Sequence, residues 1–128
     1  MSTPDIMDAL RAHLADELNV PVYLQMPSTR PDVFLYLDRS GGTGKLSSDT
    51  ATVTFEAWAS SKMRAYTLAQ NARDHMIRHL PPTVGGIRVV RRREYAGPSY
   101  QPPTVSGAFR YRWTVEVKHQ LMIEEESA

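Results

Sequence analysis

The sequence predicts an α+β fold in which two helices pack on one face of a mostly antiparallel sheet of four to five strands. Residues 50–80 change from the two-residue alternation of a strand to the three- and four-residue spacing of a helix. Residues 108–119 alternate apolar and polar side chains, and residues 4–18 carry an apolar stripe at helical spacing. Together with the segments between them, these stretches predict the order α-β-β-β-α-β-β.

The N-terminal part is expected to hold one helix and one short extended segment. Thr3 can cap the helix, with Pro4 at the first helical position and Asp5 near the positive end of the helix dipole. Asn19 is the expected end of this helix. Residues 21–26 follow as an extended piece, which can pair only as an edge strand because proline lacks the backbone donor.

The strand predicted over residues 33–39 has two different faces. One face is aliphatic, whereas the other carries Phe34 and Tyr36, so we expect both faces to be covered. The glycine-rich residues 40–49 are expected to form a long hairpin loop. The next strand adds Trp58 to the aromatic face, which we expect to meet either solvent or another subunit.

The second half of the chain is predicted to contain a helix and two strands. Residues 60–61, both serine, can cap the helix, which is expected to run to Leu80 and to end at the prolines that follow. Residues 87–95 are predicted to form a strand that becomes basic halfway, and residues 96–107 a second long loop. After the final strand comes a short acidic tail, residues 124–128.

The composition is that of one soluble globular domain spanning residues 1–128. The 128 residues are 41% hydrophobic and 23% charged, which argues against wholesale disorder. Fifteen basic and 14 acidic residues give a formal charge of +1, too balanced for a surface that binds nucleic acid or membrane everywhere. The absence of cysteine excludes disulfides, thiolate catalysis and cysteine-bound zinc. We expect no export signal, and no apolar stretch reaches the length of about 20 residues that a membrane span needs.

The segment Ser40-Gly41-Gly42-Thr43-Gly44-Lys45 suggests a phosphate-binding loop at first sight. The first glycine of that motif is replaced by Arg39 and its hydroxyl residue by Leu46. A strand also follows where the motif requires a helix whose first turn faces the phosphate. A flexible hairpin tip is therefore the favoured interpretation of this segment.

His75 and His79 lie one helical turn apart, a spacing that allows two imidazoles to share a metal ion. The glutamate that zinc peptidases carry after the first histidine is missing, and Arg78 would repel a cation. The negative end of the helix dipole accounts for these basic side chains more simply. We therefore expect no metal site.

Arg91, Arg92 and Arg93 form the densest positive charge of the chain and could bind phosphates. Because side chains alternate along a strand, the three cannot all lie on one face. The balanced net charge favours solvated surface or contact with acidic groups, such as residues 124–126 of the same or a neighbouring chain. A DNA-binding module that uses these arginines together with Arg88 is the alternative from another functional class.

No catalytic set is apparent. No serine lies in a nucleophile-turn motif, and the adjacent carboxylates Asp16 and Glu17 are more simply part of a solvated helix face. Tyr111 and Trp113 could stack on bases, but on an alternating strand they are more typical of a core. We expect a protein that is not an enzyme and needs no cofactor, and a nucleotide-dependent enzyme built on Lys45 is the least favoured hypothesis.

The strand and helix of residues 50–80 and the final strand together match the pattern of a known family. The matching residues are Val53, Phe55, Ala57, Trp58, Ala59, Ala65, Leu68, Ala69 and Arg73, and then Tyr111, Trp113, Val115 and Val117. With the capped first helix and the two serines, this pattern resembles the tail terminator, or tail completion, proteins of long-tailed bacteriophages. The resemblance covers about residues 4 to 120 as an order of elements.

The resemblance implies a structural virion protein that forms a homo-hexameric ring, caps the finished tail tube and joins it to the DNA-filled head. The implied partners are other copies of the chain, the tail-tube protein and a head-completion or connector protein, with DNA only as the transiting genome and no membrane. It implies no catalysis, no cofactor and a location in the neck of the virion after assembly in the host cytoplasm. Another neck protein, such as a head-completion protein, shares much of the pattern and is the alternative.

The candidate contacts with neighbouring subunits or the ring lumen are Lys45, Arg88, Arg91, Arg92, Arg93 and Tyr100. Opposed basic and acidic segments suit a head-to-tail ring, in which unlike patches meet around a closed circle. Charge reversal at Arg92 is expected to impair assembly and to leave the monomer folded.

Overall fold

Two helices pack on one face of a six-stranded sheet in the computed structural model, which describes residues 5–102 and 107–120. The elements are α1 (Ile6–Leu18), β1 (Val22–Tyr23), β2 (Val33–Gly44), β3 (Ser48–Ala59), α2 (Lys62–Asp74), β4 (Thr83–Val84), β5 (Ile87–Gln101) and β6 (Phe109–Gln120). Across the sheet the strands follow the order β1-β2-β3-β6-β5-β4. β1 is parallel to β2, and the other described pairs are antiparallel. The α+β class and the order of elements are confirmed, but the sheet is mixed and gains the short strand β4.

Asp5 caps α1. Its carboxylate oxygen Oδ1 accepts hydrogen bonds from the backbone N–H groups of Met7 and Asp8 at 3.0 and 3.3 Å. Thr3 lies outside the described residues, and the helix begins directly after Asp5, which therefore takes the capping role expected of the threonine. Asn19 ends α1 as predicted, in the left-handed conformation (φ 55°) that asparagine tolerates.

The predicted second helix begins and ends close to the expected residues, but its last turn is π-helical. Ser61 Oγ accepts a hydrogen bond from the backbone N–H of Arg64 at 3.2 Å, which confirms the serine cap. The α-helix stops at Asp74, and a π-helical turn over His75–His79 takes its place before the chain becomes extended at Leu80. None of the helices in residues 5–102 and 107–120 has the length and hydropathy of a membrane-spanning helix.

The prediction of a long loop over residues 40–49 is wrong, because β2 and β3 remain paired almost to the turn. The register reaches Gly44 opposite Asp49, and Lys45 N–H donates to the carbonyl of Ser48 at 2.7 Å. The glycines lower strand propensity, but the hydrogen bonds of the neighbouring strand outweigh that local preference.

A bulge bends β2 just before this hairpin tip. The register shifts between Arg39 and Gly41, and Gly42 follows with a φ of 129°. A Cβ at Gly42 would lie 2.1 Å from the carbonyl oxygen of Thr50. Glycine is therefore required at Gly42 for both conformation and space.

The second predicted loop, residues 96–107, is also strand over its first half. β5 continues to Gln101, although its register against β6 shifts on both sides of Ala96. Residues 103–106 and the acidic tail 124–128 lie outside the described residues. β5 is therefore one long strand that bends at bulges.

The core lies between the helices and the sheet. Trp113 of β6 is 1% exposed, and its ring stacks on Phe55 of β3 with 5.0 Å between centroids. Leu10 and Leu14 of α1 and Ala69 of α2 are fully buried in the same cluster. The alternation of the final strand thus predicted its inward face correctly.

Trp113→Ala is expected to lower the free energy of unfolding by about 3 to 5 kcal/mol, since it removes a buried ring and leaves a cavity. Urea denaturation at neutral pH measures this. Met63→Ala on the exposed side of α2, where the side chain is 78% exposed, is the matched control and should change stability by less than about 0.5 kcal/mol. Equal stability of the two variants would contradict the core position of Trp113.

Candidate functional site

We call the sheet face turned away from the helices the open face. Its side chains on β2, β3, β5 and β6 include Phe34, Tyr36, Asp38, Thr50, Thr52, Thr54, Glu56, Trp58, Arg91, Arg93, Ala96, Ser99, Gln101, Arg110, Arg112, Thr114, Glu116 and Lys118. Threonines and charged residues make up most of this surface. The polar character of the open face results from the same alternation of side chains that buries the core on the other side of the sheet.

The aromatic end of the open face is covered by the chain itself. Phe34 and Trp58 are 1% and 3% exposed, and their rings stack with 5.6 Å between centroids. The guanidinium groups of Arg30 and Arg110 lie 5.4 and 5.3 Å from the centroid of the Trp58 ring. These aromatic side chains therefore need no neighbouring subunit to shield them.

Glu56 is a buried carboxylate on the open face, 5% exposed. Its Oε1 accepts a hydrogen bond from Trp58 Nε1 at 3.0 Å, and its Oε2 accepts one from Arg112 Nη2 at 2.8 Å. Arg110 Nη1 lies 3.8 Å from Oε2. This network compensates the cost of burying the charge and joins β3 to β6 on the open face.

A second ionic cluster lies on the helix side of the sheet, near the β2–β3 turn. Arg39 donates from Nη1 and Nη2 to the two oxygens of Asp49 at 2.7 and 2.9 Å, and this keeps the pKa of Asp49 below its usual 3.8. His119 is 1% exposed, with Nε2 3.5 Å from Asp49 Oδ2. Asp49 and His119 continue the inward alternation of β3 and β6, a signal that could have placed them inside from the sequence.

The arginines of β5 separate to the two faces of the sheet, as the alternation predicted. Arg91 lies opposite Lys118 and Arg93 opposite Glu116, both on the open face, and both are exposed. Arg92 lies opposite Val117 and is directed toward the helices. The three residues therefore do not form one basic patch.

Arg92 binds the π-helical turn that follows α2. Its Nε donates to the carbonyl of Met76 at 2.8 Å and its Nη2 to the carbonyl of Ile77 at 2.9 Å. Carbonyls in the last turn of a helix have no partner within the helix, and a cation favours their negative end. Charge reversal at Arg92 would consequently break a contact within the chain, so it tests folding as well as assembly.

Lys45 and Tyr100 have different surroundings. Lys45 is exposed in the β2–β3 turn beside Leu46, which is 100% exposed. The Tyr100 ring is half-buried, with its centroid 4.3 Å from Lys62 Nζ and 5.5 Å from the ring of Tyr111. Tyr100 is thus engaged within the chain, whereas Lys45 is accessible.

Arg88 is exposed near the start of β5. The register Asp49–His119–Val89 shows that the hairpin tip with Lys45 and the start of β5 lie at the same end of the sheet. β3 and β6 lie between them. The structure therefore brings Arg88, Arg91 and Arg93 onto one strand and keeps Lys45 apart from them.

A polar cleft of about 520 Å³ lies between α2 and β5, and its lining includes Gln70 and Ile77. Arg73 Nη2, on one wall, donates to Glu94 Oε2 on the other at 2.9 Å. The guanidinium of Arg73 lowers the pKa of Glu94 from its usual 4.5. This ion pair fixes α2 to β5 beside the contact made by Arg92.

A histidine pair that was not predicted from the sequence links α1 to the π-helical turn. His13 Nε2 and His75 Nε2 lie 2.8 Å apart, a hydrogen bond that needs one neutral acceptor. Burial, and then the positive charge that His13 can carry, lower the pKa of His75 below its ordinary 6.5, while Glu17 and Asp74 act in the opposite direction. Because the partners lie far apart in the chain, periodicity carried no signal for this pair.

His75 and His79, which were considered as ligands of one metal ion, contact different residues. His75 faces His13, and His79 Nε2 lies 3.2 Å from Asp74 Oδ2. Among residues 5–102 and 107–120, no group of three or more His, Cys, Asp or Glu side chains is arranged to hold a metal ion.

No family model and no curated protein matches this chain. Fourteen chains of solved structures match it. One of them belongs to the virion of a native gene transfer agent (GTA) particle, with a TM-score of 0.59, 13% identity, and coverage of 90% of this chain and 91% of that chain. At this level of identity, the comparison establishes a shared fold over nearly the whole of both chains.

Arg92→Met is expected to lower the free energy of unfolding by about 1.5 to 3 kcal/mol, because it removes charged hydrogen bonds to the π-helical turn that follows α2. Arg91→Met, next to it on the exposed face, removes the same charge and should cost less than about 0.5 kcal/mol. Urea denaturation of the two variants side by side makes the comparison. Equal losses would show that the Arg92 contacts contribute nothing.

Acidification is expected to weaken the packing of α1 on the π-helical turn. Because the folded-state pKa of His75 lies below 6.5, the unfolded chain binds this proton first as the pH falls. The stability contributed by neutral His75 is therefore complete above about pH 6.5 and is lost as the pH falls through its lowered pKa. Melting temperatures between about pH 7.5 and pH 5.5 should fall less for His75→Gln than for the unmodified chain, with His79→Gln as control. Identical pH profiles of the unmodified chain and His75→Gln would rule out this role.

Proposed function

We propose that the protein is a structural subunit of a phage-like virion, and specifically a tail terminator that forms a ring on the tail tube and joins it to the head. The observation that carries the proposal is the fold shared over nearly the whole chain with a component of the GTA virion. The finer assignment is supported by the sequence pattern of residues 50–80 and 108–119. The proposed role is assembly rather than catalysis.

The accessible surface supports a protein that binds neighbours. Each subunit of a head-to-tail ring needs two different contact surfaces, and this sheet ends in two different strands. Of the candidate contacts, Lys45, Arg88, Arg91 and Arg93 are exposed. We propose that these four residues contact neighbouring copies or the lumen. Arg92, in contrast, mainly stabilises the fold.

The proposed partners are further copies of the chain, the tail-tube protein and a head-completion or connector protein, with DNA passing through the ring. Another neck protein of the virion is the alternative within the same class. DNA binding is the second candidate, favoured by the neighbouring positive charges of Arg91, Arg93 and Lys118 on the open face. The paired charges of the same face, Glu116 opposite Arg93 among them, favour assembly over DNA binding.

Native mass spectrometry is expected to find six chains of 14.4 kDa each in one particle, or a monomer that becomes this particle when tail tubes are added. Ring closure saturates every contact surface, so larger open assemblies should be absent. A chain that stays monomeric in the presence of tubes would refute the terminator assignment.

Duplex DNA binding separates the two classes of function. A terminator should bind duplex DNA only weakly at physiological salt. The double variant Arg91→Gln with Arg93→Gln should then impair ring formation on tubes more than it changes DNA binding. A DNA-binding module should instead show tight, strongly salt-dependent binding that the double variant weakens. Fluorescence anisotropy across a salt series measures the difference.

A further inference from the structure

Three basic side chains meet at one end of the open face. Arg91 of β5 lies directly opposite Lys118 of β6 on this face. Arg88 lies near the start of β5, and its neighbours Ile87 and Val89 are buried on the helix side of the sheet. Because side chains alternate along a strand, Arg88 is directed to the open face as well. We call Arg88, Arg91 and Lys118 the basic cluster.

The basic cluster contains like charges without acidic neighbours. Arg91 and Lys118 are directly opposite each other, an arrangement that destabilises a sheet. In residues 5–102 and 107–120, all ion pairs involve other basic side chains. Glu116, the next open-face residue of β6, lies opposite Arg93 instead. An anionic group bound between the cations would therefore stabilise this part of the sheet.

The charges of the chain are unevenly distributed along the sequence. All 15 basic residues lie within residues 5–120, together with 11 of the 14 acidic residues. The other three acidic residues are Glu124, Glu125 and Glu126 of the acidic tail. The formal charge of +1 is thus the difference between four excess positive charges in residues 5–120 and three negative charges in the tail.

The acidic tail follows the strand that ends beside the basic cluster. The described part of β6 ends at Gln120, and the register of β5 against β6 places Arg88 next to it. Strand geometry places the Cα atoms of Lys118 and Arg91 about 7 and 9 Å from that of Gln120. Glu124 is four residues beyond Gln120, so its Cα atom can lie up to about 14 Å away. The glutamates are therefore within reach of the cluster of the same copy.

The short connection favours the tail of the same copy over the tail of another. Two groups joined by a few residues have an effective concentration of about a millimolar or more. In a solution at about 1 μM protein, a second copy supplies its tail at a concentration about a thousand times lower. The same comparison applies to dilute DNA.

We infer that Glu124, Glu125 and Glu126 bind the basic cluster of the same copy and shield it from other anions, duplex DNA in particular. An exposed ion pair contributes about a factor of two, so three such pairs favour the bound tail by about tenfold at low salt. The inference concerns the free chain and does not rest on the proposed ring. In that ring, a neighbouring copy that contacts Arg88 and Arg91 would displace the tail.

Duplex DNA is the probe for the shielded cluster. The triple variant Glu124→Gln, Glu125→Gln and Glu126→Gln should bind DNA about tenfold more tightly than the unmodified chain in fluorescence anisotropy at about 50 mM salt. The reason is that the fraction of molecules with an accessible cluster rises from about a tenth to nearly one. Addition of Arg88→Gln, Arg91→Gln and Lys118→Gln to this variant should remove the gain. A triple variant that gains no affinity would overturn the inference.

Asp8→Asn with Asp16→Asn and Glu17→Gln is the matched control. These carboxylates are exposed on α1, behind the sheet, and their replacement changes the net charge by the same amount. DNA affinity should then rise by less than about threefold. Equal gains in the two triple variants would show an effect of net charge alone and would also overturn the inference.

Carbodiimide crosslinking locates the tail directly, because it joins an amine to a carboxylate where the two groups are in contact. Lys118 should become joined to a glutamate of the tail, as identified by mass spectrometry of peptides, and Arg91→Gln should lower the yield. Lys62, which lies beside Tyr100 at the other end of the sheet, should not be joined to the tail. In a mixture of ¹⁵N-labelled and unlabelled chains, crosslinks mainly between the two kinds of chain would overturn the assignment to the same copy.

These outcomes are distinguishable from those of the terminator proposal. A chain that forms rings on tail tubes, but whose tail variant gains no DNA affinity, would overturn the shielding alone. A chain that stays monomeric on tubes and still shows the gain would overturn the terminator assignment alone.

Discussion

The unbroken pairing of β3 with β6 is the constraint on which the rest of the structure depends. The register runs from Ser48 opposite Gln120 to Ala59 opposite Phe109 without a shift. Because side chains alternate, the same ladder supplies the stacked rings of the core on one face and the Glu56 network on the other. The bulges that bend β2 and β5 occur outside this pair, where the ladder tolerates an extra residue.

Local periodicity was sufficient to predict the central elements and insufficient at their ends. The inward side of β6 and the start of α2 follow from alternation and from a serine cap, both of which are local in sequence. Residues 40–44 and 96–101 were predicted as loops because glycine and proline lower strand propensity. A neighbouring strand supplies hydrogen bonds that propensity cannot represent, so both segments remain in the sheet.

The positions of the candidate residues could be predicted in part, where they depend on alternation along a single strand. Alternation correctly separated Arg92 from Arg91 and Arg93, since it depends on the position along one strand. It could not show that Arg92 binds two carbonyls of the π-helical turn, or that His75 faces His13, because those partners come from distant parts of the chain. The balance of charge on the open face likewise depends on which strands become neighbours.

The π-helical turn over His75–His79 gives the domain a mechanical property. His13 of α1 contacts its first residue, and Arg92 of β5 contacts two of its carbonyls. A displacement of the edge strand therefore reaches both helices through side chains that meet at a single turn. The turn thus connects the edge strand β5 to the helix layer behind the sheet.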